Sequence, residues 1–394
     1  MTGIATAIAP DFDTPFDIVI IGAGIAGASL AAECASLAAK CASAANIRVL
    51  IVEAEDAPGY HTTGRSAAYW EESYGGPGVV PLTLASGGFL ADHGFLTPRA
   101  GLTIGRAQDR ERVEGFVDRY AGLGVDVQML DRAQIAALVP GLRSDWCHGA
   151  YEARGADIDV AGLHQHYLAL ARRSGGVVKL RARIEIVERE GTDWRLSWAG
   201  GTVRAGIIVN AAGAWADTVA ALAGAAPLGI TPLRRTIVQV RTDPLPPAAM
   251  PLTFGIDGDF YFKPQSARLL VSPHDETPDI AHDVAPEELD VAIAIDRFEH
   301  VLDWRIAAVE RRWAGLRSFA PDRLPVYGFD PAVPGFFWFA GQGGFGIQTA
   351  PAAACLAAQL VMARGRDKMT EAIDATQYTP GRFRAATDPG IRLS

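Results

Sequence analysis

The chain has 394 residues, 49 % of them apolar, and a formal net charge of −9 at pH 7. That length holds two domains, or one large domain with a second inserted in it, and the acidic balance argues against a nucleic-acid partner. No apolar run reaches the eighteen or so residues of a membrane helix, so no transmembrane helix is expected.

The first fifteen residues carry no Lys or Arg and read as a loose leader, not a signal peptide. Residues 18–21 form an apolar strand that ends abruptly in Gly22-Ala23-Gly24, with Gly27 three positions on and an Ala-rich helix beyond. A GxGxxG between a strand and a helix is a dinucleotide-binding loop. Gly22 permits the tight turn, Gly24 leaves room for a pyrophosphate, and Gly27 lets the helix lie close on the strand. The helix N-terminus offers free N–H groups to the phosphates. The second strand, residues 48–53, delivers Glu53, an acid placed to hydrogen-bond ribose hydroxyls. Four cysteines, Cys34, Cys41, Cys147 and Cys355, lack metal-type spacing. They read as reduced thiols of a cytoplasmic protein, with Cys34 and Cys41 sharing a helix face.

Residues 60–68 return to the nucleotide end of the sheet, where Arg65 and Ser66 are suited to a pyrophosphate. Residues 69–78 mix aromatics with glycines and read as a mobile loop, with Glu71 and Glu72 on its solvated face. Helices are expected over 79–93, 107–121 and 131–138, and a strand over 100–106. Residues 151–159 read as a turn. A helix follows over 160–173; its His164 and His166 point to different faces, so no metal site is expected. Strands fill 177–209, and the last of them runs into a small-residue turn, 210–215, that permits close approach to a ligand.

From Thr231 the pattern alternates between Pro-rich stretches, as in an antiparallel sheet. A helix spans 286–302. A third unit closes the chain: strand 335–340, a Gly-rich loop over 341–349, and an Ala-rich helix over 350–363. Residues 371–394 read as a polar tail. No period of 20–50 residues recurs, so this is not a repeat protein.

Three strand–glycine-turn–helix units in this order resemble the glutathione-reductase-like flavoproteins, in which an extended FAD touches the first, middle and last segments. The stretches 58–68, 155–159, 209–215, 313–319 and 342–349 resemble the D-amino acid oxidase superfamily, and within it the bacterial D-arginine dehydrogenases. They occur in the family's order and span nearly the whole chain.

The resemblance implies FAD. The cysteines, in helices or away from the flavin-proximal motifs, point to its non-covalent binding; His61 is the one residue in a region where related amine dehydrogenases attach flavin. The resemblance places Gly22, Gly24, Ile25, Ala26, Gly27 and Glu53 at the cofactor, with Thr63, Gly64, Arg65, Ser66, Ala67 and Ala68. It adds Ile184, Ala212, Gly213 and Trp215, and on the last loop Gly343, Gly344, Phe345, Gly346, Ile347, Gln348 and Thr349. Of these, Ile347 and Gln348 match the loop over the pyrimidine end of the flavin, and Gln348 counts among the catalytic candidates.

For the substrate, the resemblance implies that Arg235 and Arg317 grip a carboxylate together with Tyr261. A planar, permanently charged fork suits that task. The Gly315 carbonyl matches a contact to the amine, and Tyr74 a tyrosine on a mobile lid. Tyr69 stands where the family has a histidine, and Tyr69 and Tyr261 are candidates for a secondary role. Gly101 stands where the family has a glutamate for a cationic side chain. An unpaired guanidinium in a closed site is costly, so an uncharged substrate side chain is expected.

The expected architecture is α/β. A glutathione-reductase-like, Rossmann-type FAD domain comprises 16–80, 145–230 and 312–370. An antiparallel-sheet substrate domain comprises 81–144 and 231–311. The expected protein is a cytoplasmic oxidoreductase of amino-acid catabolism. It deaminates a D-amino acid with an uncharged side chain to a 2-oxo acid and ammonia, by hydride transfer to flavin N5. Its partners are the small-molecule substrate and an electron acceptor that no motif specifies. A 2-hydroxy acid or N-methyl amine substrate, or a non-catalytic flavin-binding protein, are the alternatives.

Overall fold

The computed structural model describes residues 11–40 and 47–383. Cys41, residues 1–10 of the expected leader and residues 384–394 of the expected tail lie outside the described residues.

The first sheet is built on the dinucleotide loop. Its parallel strands lie in the order Val177–Lys179, Val49–Val52, Phe16–Ile21, Gly201–Asn210 and Phe336–Ala340. Such runs are apolar throughout because helices or strands cover both faces. Ile18, Ile20, Val49 and Ile51 pack under the helices Ile25–Lys40, Val160–Arg173 and Ala350–Val361. Val19, Ile21, Leu50 and Val52 face the other way, toward Trp194, Trp338 and the helix Ala216–Leu222. Small residues let the first helix come close: a Cβ on Gly27 would lie 1.9 Å from the Gly22 carbonyl oxygen. Cys34 is buried on this helix, and burial pushes its thiol pKa up.

The second sheet runs Gln342–Gly343, Arg305–Phe319, Thr231–Asp243, Arg268–Ser272, Tyr261–Gln265, Leu252–Gly255, Gly101–Arg106, Trp146–Glu152, Val127–Leu130. All these neighbours are antiparallel except Leu252–Gly255 and Gly101–Arg106. Helices Glu288–Val301 and Arg132–Leu138 close its core around Phe262, Phe298 and Ile135.

Sheet pairing moves several expected boundaries. Trp146–Glu152, which falls in the expected FAD domain, is a strand of the second sheet, held between Gly101–Arg106 and Val127–Leu130. Arg305–Phe319 runs unbroken through the expected break at 311/312, because it pairs with Thr231–Asp243 along its whole length. Its first half is mostly exposed and its last six residues are buried, so one strand reaches from the substrate sheet into the molecule's centre. Helix Val80–Asp92 packs with the first sheet's helices, Ser86 Oγ accepting from Ala352 N at 3.1 Å. Tyr69–Trp70 is a strand on Ala156–Ile158, not a mobile loop. The described part of the expected tail is packed: Tyr378 is buried and its hydroxyl donates to the Gly78 carbonyl at 2.8 Å.

Candidate active site

A cavity of about 400 Å³ runs between the two sheets. At its nucleotide end Gly22, Gly24, Ile25, Ala26 and Glu53 line the wall. The Glu53 carboxylate accepts from Ala23 N at 2.7 Å and from Glu55 N at 3.0 Å, which locks it beside the glycine turn. Thr63 Oγ1 accepts from Ile25 N at 3.0 Å, and Gly22, at φ +107, leaves the strand in a conformation open to glycine. His164, on the helix Val160–Arg173, braces the same turn from outside. Its Nε2–H donates to the Ala23 carbonyl at 2.9 Å, and burial lowers its pKa.

Further along, Ile184, Ala212, Gly213 and Trp215 line one wall. Gly213 has φ +56 and no atom within 4 Å of where a Cβ would stand, so its side of the turn is open to a ligand. Thr63, Arg65, Ser66, Ala67 and Ala68 line the opposite stretch. Arg65, however, is not free for a pyrophosphate. Its guanidinium pairs with Asp283 and donates to the carbonyls of Val284 at 2.9 Å and Ala314 at 3.2 Å. It stitches this loop to the second sheet. Ser66 Oγ likewise turns inward and accepts from Ala68 N at 2.9 Å.

At the far end Arg235, Arg317, Tyr261, Gly315, Tyr69 and Tyr74 all line the cavity. Sheet register brings the first three together. Arg235 pairs across with Gly315, and Leu233 with Arg317. Both guanidiniums are buried and braced from behind. Arg235 donates to the carbonyls of Asp275 at 2.9 Å and His274 at 3.2 Å. Arg317 Nη2 donates to the Asp275 carbonyl at 3.1 Å and to Glu276 Oε1 at 3.0 Å. Arg323 shares Glu276, so one carboxylate serves several cations. Burial and the neighbouring Arg317 pull the Arg235 pKa down to about 10. Arg317 Nε has no hydrogen-bond partner among the described residues. Asp275 also ion-pairs Arg235 at 3.8 Å, so three arginines share two carboxylates and the cluster is one anion short of its cations. Tyr74 stacks on Phe254, and Phe254 meets Tyr261, which makes an aromatic wall beside the arginines.

Several expected cofactor positions stand behind the wall. Gly27 and Gly64 serve close backbone approaches: a Cβ on Gly64 would lie 2.8 Å from the Gly59 carbonyl oxygen. Gly343, Gly344, Gly346 and Ile347 line the cavity; Phe345, Gln348 and Thr349 are buried beneath them. Gln348 faces away from the cavity. Its Nε2 donates to the carbonyls of Glu71 at 3.3 Å and Tyr74 at 3.2 Å and to Thr83 Oγ1 at 2.9 Å. It ties the last loop to the segment carrying Tyr74, which corrects its placement at the flavin and among the catalytic candidates.

The glutamates of that segment are also corrected. Glu71 and Glu72 are 3 % and 4 % exposed, not solvated. Buried Glu152 lies beside them and accepts from Ser73 N at 3.2 Å and from Ser73 Oγ. Burial and the Glu152 charge hold the Glu71 pKa well above the usual carboxylate range, and burial pushes Glu152 up to about 7. His274 was given no role by its sequence context, yet it lines the cavity. Its Nδ1–H donates to the Gly258 carbonyl, and burial beside Arg235 pulls its pKa down to about 3, so the ring is neutral. Among the described residues no group of three or more His, Cys, Asp or Glu is placed to hold a metal ion, and no helix is long and apolar enough to cross a membrane.

A dinucleotide turn at one end of a cavity and a buried arginine pair at the other fit a flavoprotein oxidoreductase. The profile of the DAO family, described as FAD dependent oxidoreductase, matches residues 17–360, and the chain belongs to that family. It is 27 % identical to the glycine oxidase of Geobacillus kaustophilus over 365 residues, covering 88 % of this chain and 93 % of the relative. The crystal structure of that enzyme superposes with a TM-score of 0.80 at 22 % identity, over 93 % of this chain and 99 % of the other. L-Proline dehydrogenase from P. horikoshii superposes with a TM-score of 0.81 at 19 % identity, over 94 % and 98 %. The cofactor is FAD, and the open face of Gly213, the cavity wall at Gly22 and Gly24 and the position of Glu53 suit its extended dinucleotide.

Proposed function

We propose that the protein oxidatively deaminates a D-amino acid with an uncharged side chain to a 2-oxo acid and ammonia. The observation that carries this reading is the buried pair Arg235 and Arg317 beside Tyr261, lining the cavity in a cluster one anion short of its cations. A substrate carboxylate supplies that anion through bidentate, charge-assisted hydrogen bonds. Bound FAD supplies the two-electron hydride acceptor. The chain's own residues hold and orient. The arginines and Tyr261 fix the carboxylate, and the Gly315 backbone, in register with Arg235, faces the amine. The amine enters neutral, its lone pair closes the C=N bond as the Cα hydride departs, and water hydrolyses the imine.

The wall beyond the arginines supports an uncharged side chain. Tyr69, Tyr74, Leu252 and Phe254 line it. Glu71 is absent from this lining and is held toward its protonated form. The ordered motif resemblance supports the D configuration. The family relationship itself supports an amine or amino-acid substrate.

An anaerobic screen of flavin bleaching tests this reading. Enantiomer pairs of amino acids, glycine, proline, N-methyl glycines and 2-hydroxy acids are mixed with the oxidised enzyme. Bleaching by uncharged D-amino acids and not by their L-enantiomers is expected. Bleaching confined to L-amino acids, secondary amines or hydroxy acids overturns the assignment.

A further inference from the structure

We infer that Lys263 is a positioning residue for the bound FAD: it holds the Ala67–Ala68 backbone in its turn and sets a buried positive charge behind that part of the cavity wall. Lys263 is 2 % exposed. Its ammonium group spends its three N–H bonds on the carbonyls of Ala67 at 2.7 Å and Ala68 at 3.1 Å and on Asp157 Oδ1 at 2.7 Å. Ala68 has φ +57, a left-handed conformation that an alanine rarely adopts without outside support. The support is visible. The Ala68 carbonyl accepts from Lys263 and from Ile158 N, and the Ala68 N–H is taken by Ser66 Oγ.

The location gives this clamp its meaning. Ala67 and Ala68 both line the cavity. Along the chain they lie between Thr63, which bonds the dinucleotide turn, and Tyr69, at the substrate end. The redox-active part of an extended FAD must pass this stretch to reach the arginines. Lys263 comes to it from the strand that carries Tyr261, two residues away and so on the same face. One strand therefore sets both a substrate contact and the turn beside the cofactor.

Charge adds a second effect. Asp157 Oδ2 is already taken by Arg99 Nε at 2.7 Å. The cluster of Lys263, Arg99 and Asp157 thus carries one positive charge in excess. A buried ammonium is expensive where only packing is needed, and an apolar side chain would fill the strand at less cost. Behind the cavity wall the excess charge favours the flavin that has accepted electrons.

The test is the reduction equilibrium of FAD in the holoenzyme, measured against a reference dye with no amino acid present, so it is independent of the substrate assignment. Lys263→Met removes the charge. The equilibrium is expected to shift at least about tenfold toward oxidised flavin, which is about 30 mV for a two-electron couple. Asp157→Asn removes the opposing charge and is expected to shift it the other way. Lys263→Arg keeps the charge and is expected to stay near wild type, with faster amide exchange at Ala68 and Ile158 from the loosened turn. If Lys263→Met does not retain FAD, the other two variants decide. An unchanged equilibrium in Asp157→Asn, or shifts of the same sign in Lys263→Met and Asp157→Asn, overturn the inference and leave Lys263 as an ordinary core ion pair.

Discussion

Glu71 reaches over Gly101: its Oε1 lies 2.1 Å from the point a Cβ on Gly101 would occupy. Gly101 opens a strand and Glu71 follows another, yet the carboxyl of one fills the space left by the missing side chain of the other. Gly101 also pairs in register with Glu152, so the three form one buried patch on the face of the second sheet that carries Leu252.

This patch sharpens the substrate prediction. Burial and Glu152 hold the Glu71 carboxyl toward its neutral form, and Glu71 is absent from the cavity lining. Uncharged D-amino acids such as methionine, phenylalanine or leucine are expected to exceed D-arginine in kcat/KM by at least about tenfold, roughly the 1.4 kcal/mol of one poorly paired cation. Glu71→Gln should leave that order intact, since an amide mimics the protonated acid. Steady-state kinetics with a dye acceptor measure both. D-Arginine as the best wild-type substrate, with that preference lost in Glu71→Gln, would show Glu71 acting as a charged carboxylate.

Glu53→Ala is expected to weaken FAD binding by roughly 1–3 kcal/mol. The loss has two parts, the contact to ribose and the bond that fixes Ala23 N in the glycine turn. Equilibrium titration of the apoprotein with FAD measures it, and an unchanged affinity removes Glu53 from the site. The same preparation checks attachment: acid precipitation should leave the yellow colour in the supernatant.

Arg317→Met should spare flavin content and lower kcat/KM by at least about 2–4 kcal/mol. Glu276 keeps Arg323 at 2.8 Å when Arg317 is removed, so the acid is not stranded. Loss of FAD or of the fold in this variant would identify Arg317 as a structural partner of Glu276 instead.

The buried carboxyl pair gives a pH signature. Glu152 is pushed up to about 7, above its unfolded value, so between about pH 4.5 and 7 the folded state binds more protons than the unfolded one. Stability from this group is therefore greatest at low pH and falls as pH rises through that window. Glu152→Gln should gain stability of roughly 1–3 kcal/mol at pH 8 and little at pH 5. Denaturant melts at the two pH values compare the variants, and an equal change at both would show that proton binding at Glu152 is not the cause.

Sequence alone reached the parts of this protein that local rules specify. The strand–glycine–helix unit with Glu53, the turn at Gly213 and the loop at Gly343 to Ile347 follow from short spacings, because a glycine turn and a helix N-terminus are made by neighbouring residues. The arginine pair was legible through motif resemblance, and sheet register then brought Arg235 beside the strand of Arg317. What only the tertiary structure decided involves partners remote in the chain. Gln348 turned from the cavity because its amide bonds Glu71 and Tyr74, more than 270 positions away. Arg65 left the phosphates for Asp283 and Ala314, and Lys263 met Ala67 and Ala68 across the two sheets. Glu71 went inside because Gly101 left a space of the right size. A side chain's polarity sets what it must bond when buried, but which partner it finds depends on how the sheets pack, and no local pattern records that.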